Sequence, residues 1–234
     1  MGPQRGHLFV QLGSQLRHLI LDWLLPPRAA QLLRMAKNSG LASRFRREQQ
    51  NPLDAYETEE WSLLRQALEG ASSYLEFGCG LSTEFVSKSY GCTARSIETS
   101  YEWVARVQKR VGDEVQIIHV DLGEVGRWGR PLTYQNRKNF IRYFEAGFDN
   151  GFSPDAVLID GRFRVACFLT TLLLSRPGTR IVVDDYPDRP HYKVIEEIVA
   201  PTSTSSRQAL FVVPGSINYK VTRELRDQFT NVME

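Results

Sequence analysis

Cysteine is scarce in this chain of 234 residues, which has only Cys79, Cys92 and Cys167. An odd count builds no disulfide framework, and the spacings are not those of a zinc site. Reduced thiols, and with them a cytoplasmic setting, are the simple expectation. A long apolar run is also lacking. The most apolar N-terminal stretch, residues 8–25, is broken by Gln11, Gln15, Arg17, His18 and Asp22, which argues against a membrane span. That stretch also lacks the basic start, apolar centre and small-residue cleavage site of a secretory signal. No charge of one sign dominates: the formal net charge is +2, so the overall balance gives no reason to expect a nucleic-acid partner. Internal repeats and low-complexity tracts are missing as well. What remains is ordinary globular composition, 42% hydrophobic and 24% charged, enough for one sizeable core and an appendage.

Charge is unevenly distributed. Residues 1–50 hold eight basic and two acidic side chains, so the rest of the chain carries a net charge of −4. Within this basic segment Leu8, Leu12, Leu16, Leu19, Ile20, Trp23 and Leu24 recur at helical spacing up to Pro26-Pro27. A second helix is expected over residues 29–37. The division that follows is a basic helical appendage over residues 1–56 and a main domain over residues 57–234. The appendage suits a cap on the domain, a homodimer contact or a membrane-surface helix. Its Arg-rich, acid-poor start also has the character of an organelle transit peptide.

From residue 57 onward helices and strands alternate. Strands are expected over residues 73–77, 94–98, 115–121, 156–160 and 180–184, and helices over 57–68, 82–90, 101–111, 162–174 and 191–199. Two late strands, 209–213 and 217–223, flank Pro214-Gly215. Such alternation implies a mostly parallel sheet with helices on both faces. The continuous runs Val157-Leu158-Ile159 and Ile181-Val182-Val183 suit strands buried on both sides, and the closing pair suits an antiparallel edge.

Ligands in such folds sit beyond the carboxyl ends of the strands, where strand order reverses. The first strand runs into Glu76-Phe77-Gly78-Cys79-Gly80-Leu81-Ser82 and then a helix. Gly78 and Gly80 allow a sharp turn and close approach to a ligand. A carboxylate at Glu76 would repel a dinucleotide pyrophosphate and suits a cofactor with a cationic amino-acid moiety. Thr83 stands where the dinucleotide fingerprint has its third glycine. S-adenosylmethionine (SAM) therefore fits better than a nicotinamide dinucleotide. Glu98 ends the second strand about 20 residues beyond the first glycine, the spacing of a ribose-binding acid. Asp121 either faces the adenine edge or caps the turn after the third strand.

These residues resemble the class I SAM-dependent methyltransferases. Leu75-Glu76-Phe77-Gly78-Cys79-Gly80 looks like their first motif, with Ser82 at the position of a third small residue. Glu98 matches their ribose-binding acid, Asp121 their adenine-site acid, and residues 156–161 their fourth motif. A further resemblance is to a bacterial group of methyltransferase-like proteins whose function is not established. It rests on residues 126–131, on Asp160-Gly161-Arg162-Phe163-Arg164 with the three residues after it, and on Val183-Asp184-Asp185-Tyr186. The resemblance implies a Rossmann-like three-layer α/β sandwich with a seven-stranded, mostly parallel sheet, and a transferase that moves a methyl group from SAM to a small acceptor.

Asp160 ends the fourth strand, and Asp184 and Asp185 end the fifth, so three carboxylates are expected beside the cofactor. Oxygen ligands of this kind suit Mg²⁺, and the pattern is similar to the metal site of catechol-type and sugar-modifying O-methyltransferases. Arg162, however, stands where the sugar-modifying enzymes usually have a second acid, and a cation there suits either electrostatic replacement of a metal or binding of an anionic substrate. In a metal-free arrangement Asp160 orients the acceptor while Asp184 and Asp185 pair with Arg162, Arg164 or Arg189. A metal would favour an oxygen acceptor by lowering the pKa of its hydroxyl. Catalytic candidates are Asp160, Arg162 and His191, the last as a proton acceptor. Residues 124–152 form a long connection with Trp128, Tyr134 and several arginines, suited to a lid or binding loop. Two other functions remain open: an enzyme that uses another nucleotide cofactor, and a non-catalytic SAM-binding interaction module.

Overall fold

The computed structural model describes residues 51–233. The expectations for the two N-terminal helices lie outside the described residues. The body begins with short 3₁₀ turns at Pro52–Glu57 and Glu59–Trp61, which lead into helix α1 (Ser62–Leu68). Then follow β1 (Ser73–Phe77), α2 (Leu81–Ser89), β2 (Thr93–Glu98), α3 (Tyr101–Gln108) and β3 (Val115–His119). After a long connection containing α4 (Phe140–Glu145) come β4 (Ala156–Ile159), α5 (Arg164–Leu174) and β5 (Arg180–Asp184). The chain closes with β6 (Ser203–Thr204), β7 (Gln208–Val212) and α6 (Tyr219–Phe229).

The seven strands lie in the order β3-β2-β1-β4-β5-β7-β6. The first five pair in parallel, whereas β7 runs antiparallel to β5 and β6 antiparallel to β7. The fold is thus the expected Rossmann-like sandwich with a mostly parallel sheet and an antiparallel edge. Strand order reverses between β1 and β4, which fixes where a crevice opens.

The period of two along each strand divides the core between two faces. On one face Leu75, Phe77, Val157, Ile159, Ile181 and Val183 meet the aromatic residues of α4 and α5, including Phe140, Phe144 and Phe168. On the other, Tyr74, Leu158 and Val182 meet Leu64, Leu68 and Phe85 from α1 and α2. Tyr56 packs here too, between Trp61 and Phe85. The strands are buried on both sides, which explains their unbroken apolar runs.

The expected strand over residues 217–223 is instead the start of α6. Asn218 caps that helix by accepting from the Val221 amide at 3.2 Å. Ile217, Tyr219 and Val221 have the alternation of a strand. Burial follows Thr222, Leu225 and Phe229, three and four residues apart, which is the helical period. The antiparallel edge comes from the two-residue β6, joined to β7 by a tight turn in which Ser205 donates its amide to the Gln208 carbonyl at 2.8 Å. The segment after Arg189 is a 3₁₀ stretch, Pro190–Glu197.

Candidate active site

A cavity of about 750 Å³ opens beyond the carboxyl ends of β1, β2, β4 and β5. Its floor is the touching pair of loops that follow β1 and β4. Gly78 has φ +93°, and a Cβ there would lie 2.8 Å from the Gly161 Cα. A Cβ on Gly161 would in turn meet the Tyr143 hydroxyl and the Gly78 amide. Both positions need glycine because the two loops share one space. Gly80 differs: its backbone is extended, and a Cβ would meet nothing within 4 Å on the rim of the cavity. The space beside Gly80 is therefore available to a ligand.

Glu98, only 8% exposed, lines the cavity at the end of β2. Its Oε1 accepts from the Thr99 amide at 2.6 Å and the Ser100 amide at 3.0 Å, so the carboxylate is held in one orientation. Trp103, on the first turn of α3, donates its Nε1–H to the Cys79 carbonyl at 2.7 Å and ties the glycine loop to the β2 side. Cys79 and Ser82 line the same space. Burial pushes the Cys79 thiol far above its ordinary range, which removes it as a nucleophile.

Glu76 is not among the residues that line the cavity. It is fully buried beneath the loop, on the α1–α2 face of the sheet. Its carboxylate accepts from Ser82 Oγ, from Thr83 Oγ1 at 2.5 Å and from Ser96 Oγ at 3.0 Å. Burial raises its pKa to about 7, against the opposing pull of those hydroxyls. The side chain thus braces the glycine loop from below. Asp121 also lies away from the cavity, in the turn after β3, where its Oδ1 accepts from the Gly123 amide at 2.8 Å. This is the turn-capping alternative. His191 is exposed, stacks edge-on against Tyr192 and does not line the cavity.

At the β4–β5 end, carboxylate oxygens of Asp160, Asp184 and Asp185 lie within 4.8 Å of one another, as a metal site requires. Their partners are arginines. Arg207 grips Asp184 with two bonds, Nε–Oδ1 at 2.7 Å and a terminal nitrogen to Oδ2 at 2.6 Å. The nearly buried Arg164 reaches Asp160 at 2.9 Å and Asp185 at 3.5 Å, and donates to the carbonyls of Gly161 and Asp184. Arg189 stands 3.6 Å from Asp185. Three guanidinium groups balance three carboxylates, and the fully buried Asp184 has both oxygens engaged. A divalent cation does not fit this set unless an arginine leaves. The expected metal-ligand triad is therefore assembled, but as an ion-pair cluster.

Asp160 keeps access to the cavity. Burial raises its pKa well above the usual carboxylate range; Arg164 opposes the shift and the Asp184 carboxylate reinforces it. Arg162 also lines the cavity, with its amide donating to the Tyr143 hydroxyl at 3.2 Å. Sequence reasoning missed Tyr56, Thr99, Tyr143 and Arg207 as cavity residues. Arg207 lies on no strand-end motif and reaches the site only because β7 pairs with β5.

The connection after β3 folds back at Gly126–Pro131, where Val125 bridges Pro131 and the Gly129 carbonyl accepts from Thr99 Oγ1 at 2.8 Å. Trp128, at its tip, lines the cavity mouth while 78% exposed and has φ +60°. Asp185 also has positive φ, as does Phe163 beside Arg162. Such conformations are uncommon outside glycine; Trp128 and Asp185 line the cavity and Phe163 adjoins it in sequence, whereas Asn150, with φ +57°, is not among the lining residues.

Strand order, antiparallel edge and a glycine loop facing a strand-end acid define the class: a domain of the Rossmann-like methyltransferase fold. A solved methyltransferase-like protein from Silicibacter pomeroyi DSS-3 is 32% identical, with a TM-score of 0.62 over 78% of this chain and 96% of its own. The chain belongs to that methyltransferase-like family. Fainter likenesses are to a putative caffeoyl-CoA O-methyltransferase from Staphylococcus aureus (12% identity, TM-score 0.48, 75% of this chain and 99% of the other). Another is to an O-methyltransferase from Bacillus cereus in complex with SAH (19% identity, TM-score 0.41, 92% and 84%). No protein-family model and no curated protein matches the chain. Among the described residues, no helix is long and apolar enough to cross a membrane.

Proposed function

We propose that this protein is a SAM-dependent methyltransferase that methylates an oxygen of a small acceptor. The observation that carries the reading is Glu98, a nearly buried carboxylate oriented by two amides in the same cavity as the Gly78–Gly80 loop. On a chain of this family, that pairing suits ribose hydroxyls beside a tight cofactor loop. When bound, SAM supplies an electrophilic methyl group on a sulfonium. The protein supplies position and a proton acceptor. Glu98 holds the ribose, Gly80 leaves room for the cofactor, and Asp160 takes the proton of the acceptor hydroxyl as its oxygen bonds to the methyl carbon. SAM would supply the methyl group for the ether and would leave as S-adenosylhomocysteine (SAH), the sulfur keeping the bonding electron pair. A carboxyl with a raised pKa suits that proton transfer near neutral pH. About 750 Å³ is ample for a nucleoside cofactor with a small acceptor.

Calorimetry with SAH tests the reading. The wild type binds, and Glu98→Ala weakens binding by roughly tenfold or more, the scale of hydrogen bonds to a charged group. Equal affinity in both proteins contradicts the ribose role. Binding of a nicotinamide dinucleotide without SAH binding overturns the cofactor assignment.

A further inference from the structure

Charge in the cavity is not evenly matched. At the β4–β5 end, Asp160, Asp184 and Asp185 are paired with Arg164, Arg189 and Arg207. Arg162 is a fourth guanidinium at that end. Among the described residues it forms no ion pair, and its buried Nε–H has no hydrogen-bond partner. A buried donor left unpaired costs about 1–3 kcal/mol, so this guanidinium, which lines the cavity, lacks the pairing that its three neighbours have. The nearest elements account for the other candidates. Tyr143 is occupied by the Arg162 amide, and Arg164 holds the Asp160 side chain.

We infer that the acceptor carries an anionic group, a carboxylate or a phosphate, that Arg162 binds next to the oxygen being methylated. The inference rests on the proposed methyltransferase reading and names its acceptor class. Arg162 lies two residues beyond Asp160 on one loop, so the anion and the reacting hydroxyl are close neighbours on the same small molecule. The cofactor brings a carboxylate of its own. The first turn of α2, rising from the glycine loop, offers amide donors of the kind that bind anions at helix starts. Arg162 stands on the other side of the switch point, with the acid cluster. Its planar fork suits two-point contact with a carboxylate or phosphate.

The test uses full-length protein loaded with SAH and titrated with 4-hydroxybenzoate, inorganic phosphate and, as the uncharged isostere, 4-hydroxybenzamide. Wild type is expected to bind at least one of the two anions saturably and the amide at least tenfold more weakly than 4-hydroxybenzoate or phosphate. Arg162→Gln is expected to lose roughly tenfold or more in anion affinity, the worth of one charge-assisted contact. Its SAH affinity should stay within about twofold, and Arg162→Lys should recover part of the loss. SAH affinity and thermal unfolding of each variant report whether it is folded. Anion binding unchanged in Arg162→Gln overturns the inference. So does absence of anion binding to loaded wild type, or a tenfold loss of SAH affinity in Arg162→Gln, which would assign the guanidinium to the cofactor's carboxylate. Failure of SAH to bind wild type is a separate result that overturns the proposed cofactor; the anion titrations are then read on unloaded protein by the same criteria.

Discussion

Replacing Glu76 with Gln isolates one buried charge. In the folded chain this carboxyl has a pKa of about 7, raised by burial from an ordinary 4.5. Between those values the unfolded chain has released the proton and the folded chain retains it. Folded protein thus binds more protons, and stability falls as pH rises through the window. Each pH unit is worth about 1.4 kcal/mol, so the group costs about 3 kcal/mol above pH 7 and nothing below pH 4.5. Gln carries no charge and lacks this dependence. The hydroxyls of Ser82, Thr83 and Ser96 can rotate to serve its amide, although one acceptor site is lost. Urea unfolding of both proteins at pH 5, 6, 7 and 8 gives the comparison. Glu76→Gln is expected to be the less stable protein at pH 5 and to gain on wild type by about 2.5 kcal/mol towards pH 8. Asp160, also raised, is common to both and largely cancels. A stability difference that stays flat across this range refutes the reasoning.

Four other outcomes follow from the site. Gly78→Ala places a Cβ 2.8 Å from the Gly161 backbone at φ +93° and should lower stability by about 2–3 kcal/mol in chemical denaturation. Gly80→Val, on extended backbone with open space, should unfold like wild type yet lose SAH binding by calorimetry. Arg207→Ala strands the buried Asp184 carboxylate and should cost about 3 kcal/mol, with Arg207→Ala/Asp184→Asn recovering at least half. Because the acid cluster is already neutralised, adding Mg²⁺ or a chelator should leave both SAH affinity and the melting temperature unchanged; a metal-dependent rise in either would restore the metal reading.

Most of the sheet was legible because β1, β2, β4 and β5 are buried on both faces and bounded by turn residues, so pattern and burial agree. The α6 segment was not, because Ile217, Tyr219 and Val221 alternate before a helical period takes over at Thr222. In the site, the loop after β1 and Glu98 were readable from spacing along the chain. The direction of Glu76 follows from its place in the strand. Period two puts it on the face shared by Tyr74, and parallel pairing sets it opposite Ser96. A serine in a buried strand, with Ser82 and Thr83 on the following helix, was the available signal of a carboxylate closed in by hydroxyls. Arg207 was unreadable for another reason. It reaches Asp184 through antiparallel pairing across 23 residues of sequence, and no local pattern encodes that contact.

The acids at the strand ends divide by environment, and the division bears on chemistry. Asp184 is clamped by Arg207, Asp121 closes a turn, and Glu76 is sealed beneath the loop. None of the three can exchange with a cavity ligand without disrupting its own support. Glu98 and Asp160 both face the cavity, from opposite sides of the β1–β4 switch point. Glu98 is fixed by backbone amides, the setting of a group that holds hydroxyls in place. Asp160 is driven toward its protonated form by burial and a neighbouring acid while Arg164 draws it back, the setting of a group that gives and takes a proton. Two carboxyls in one cavity, set apart by environment, are the usual physical basis for dividing binding from proton transfer. On that argument Asp160→Asn should abolish turnover while leaving SAH affinity nearly intact, whereas Glu98→Ala should weaken affinity first. Variants that behave alike would show that the cavity does not divide its work this way.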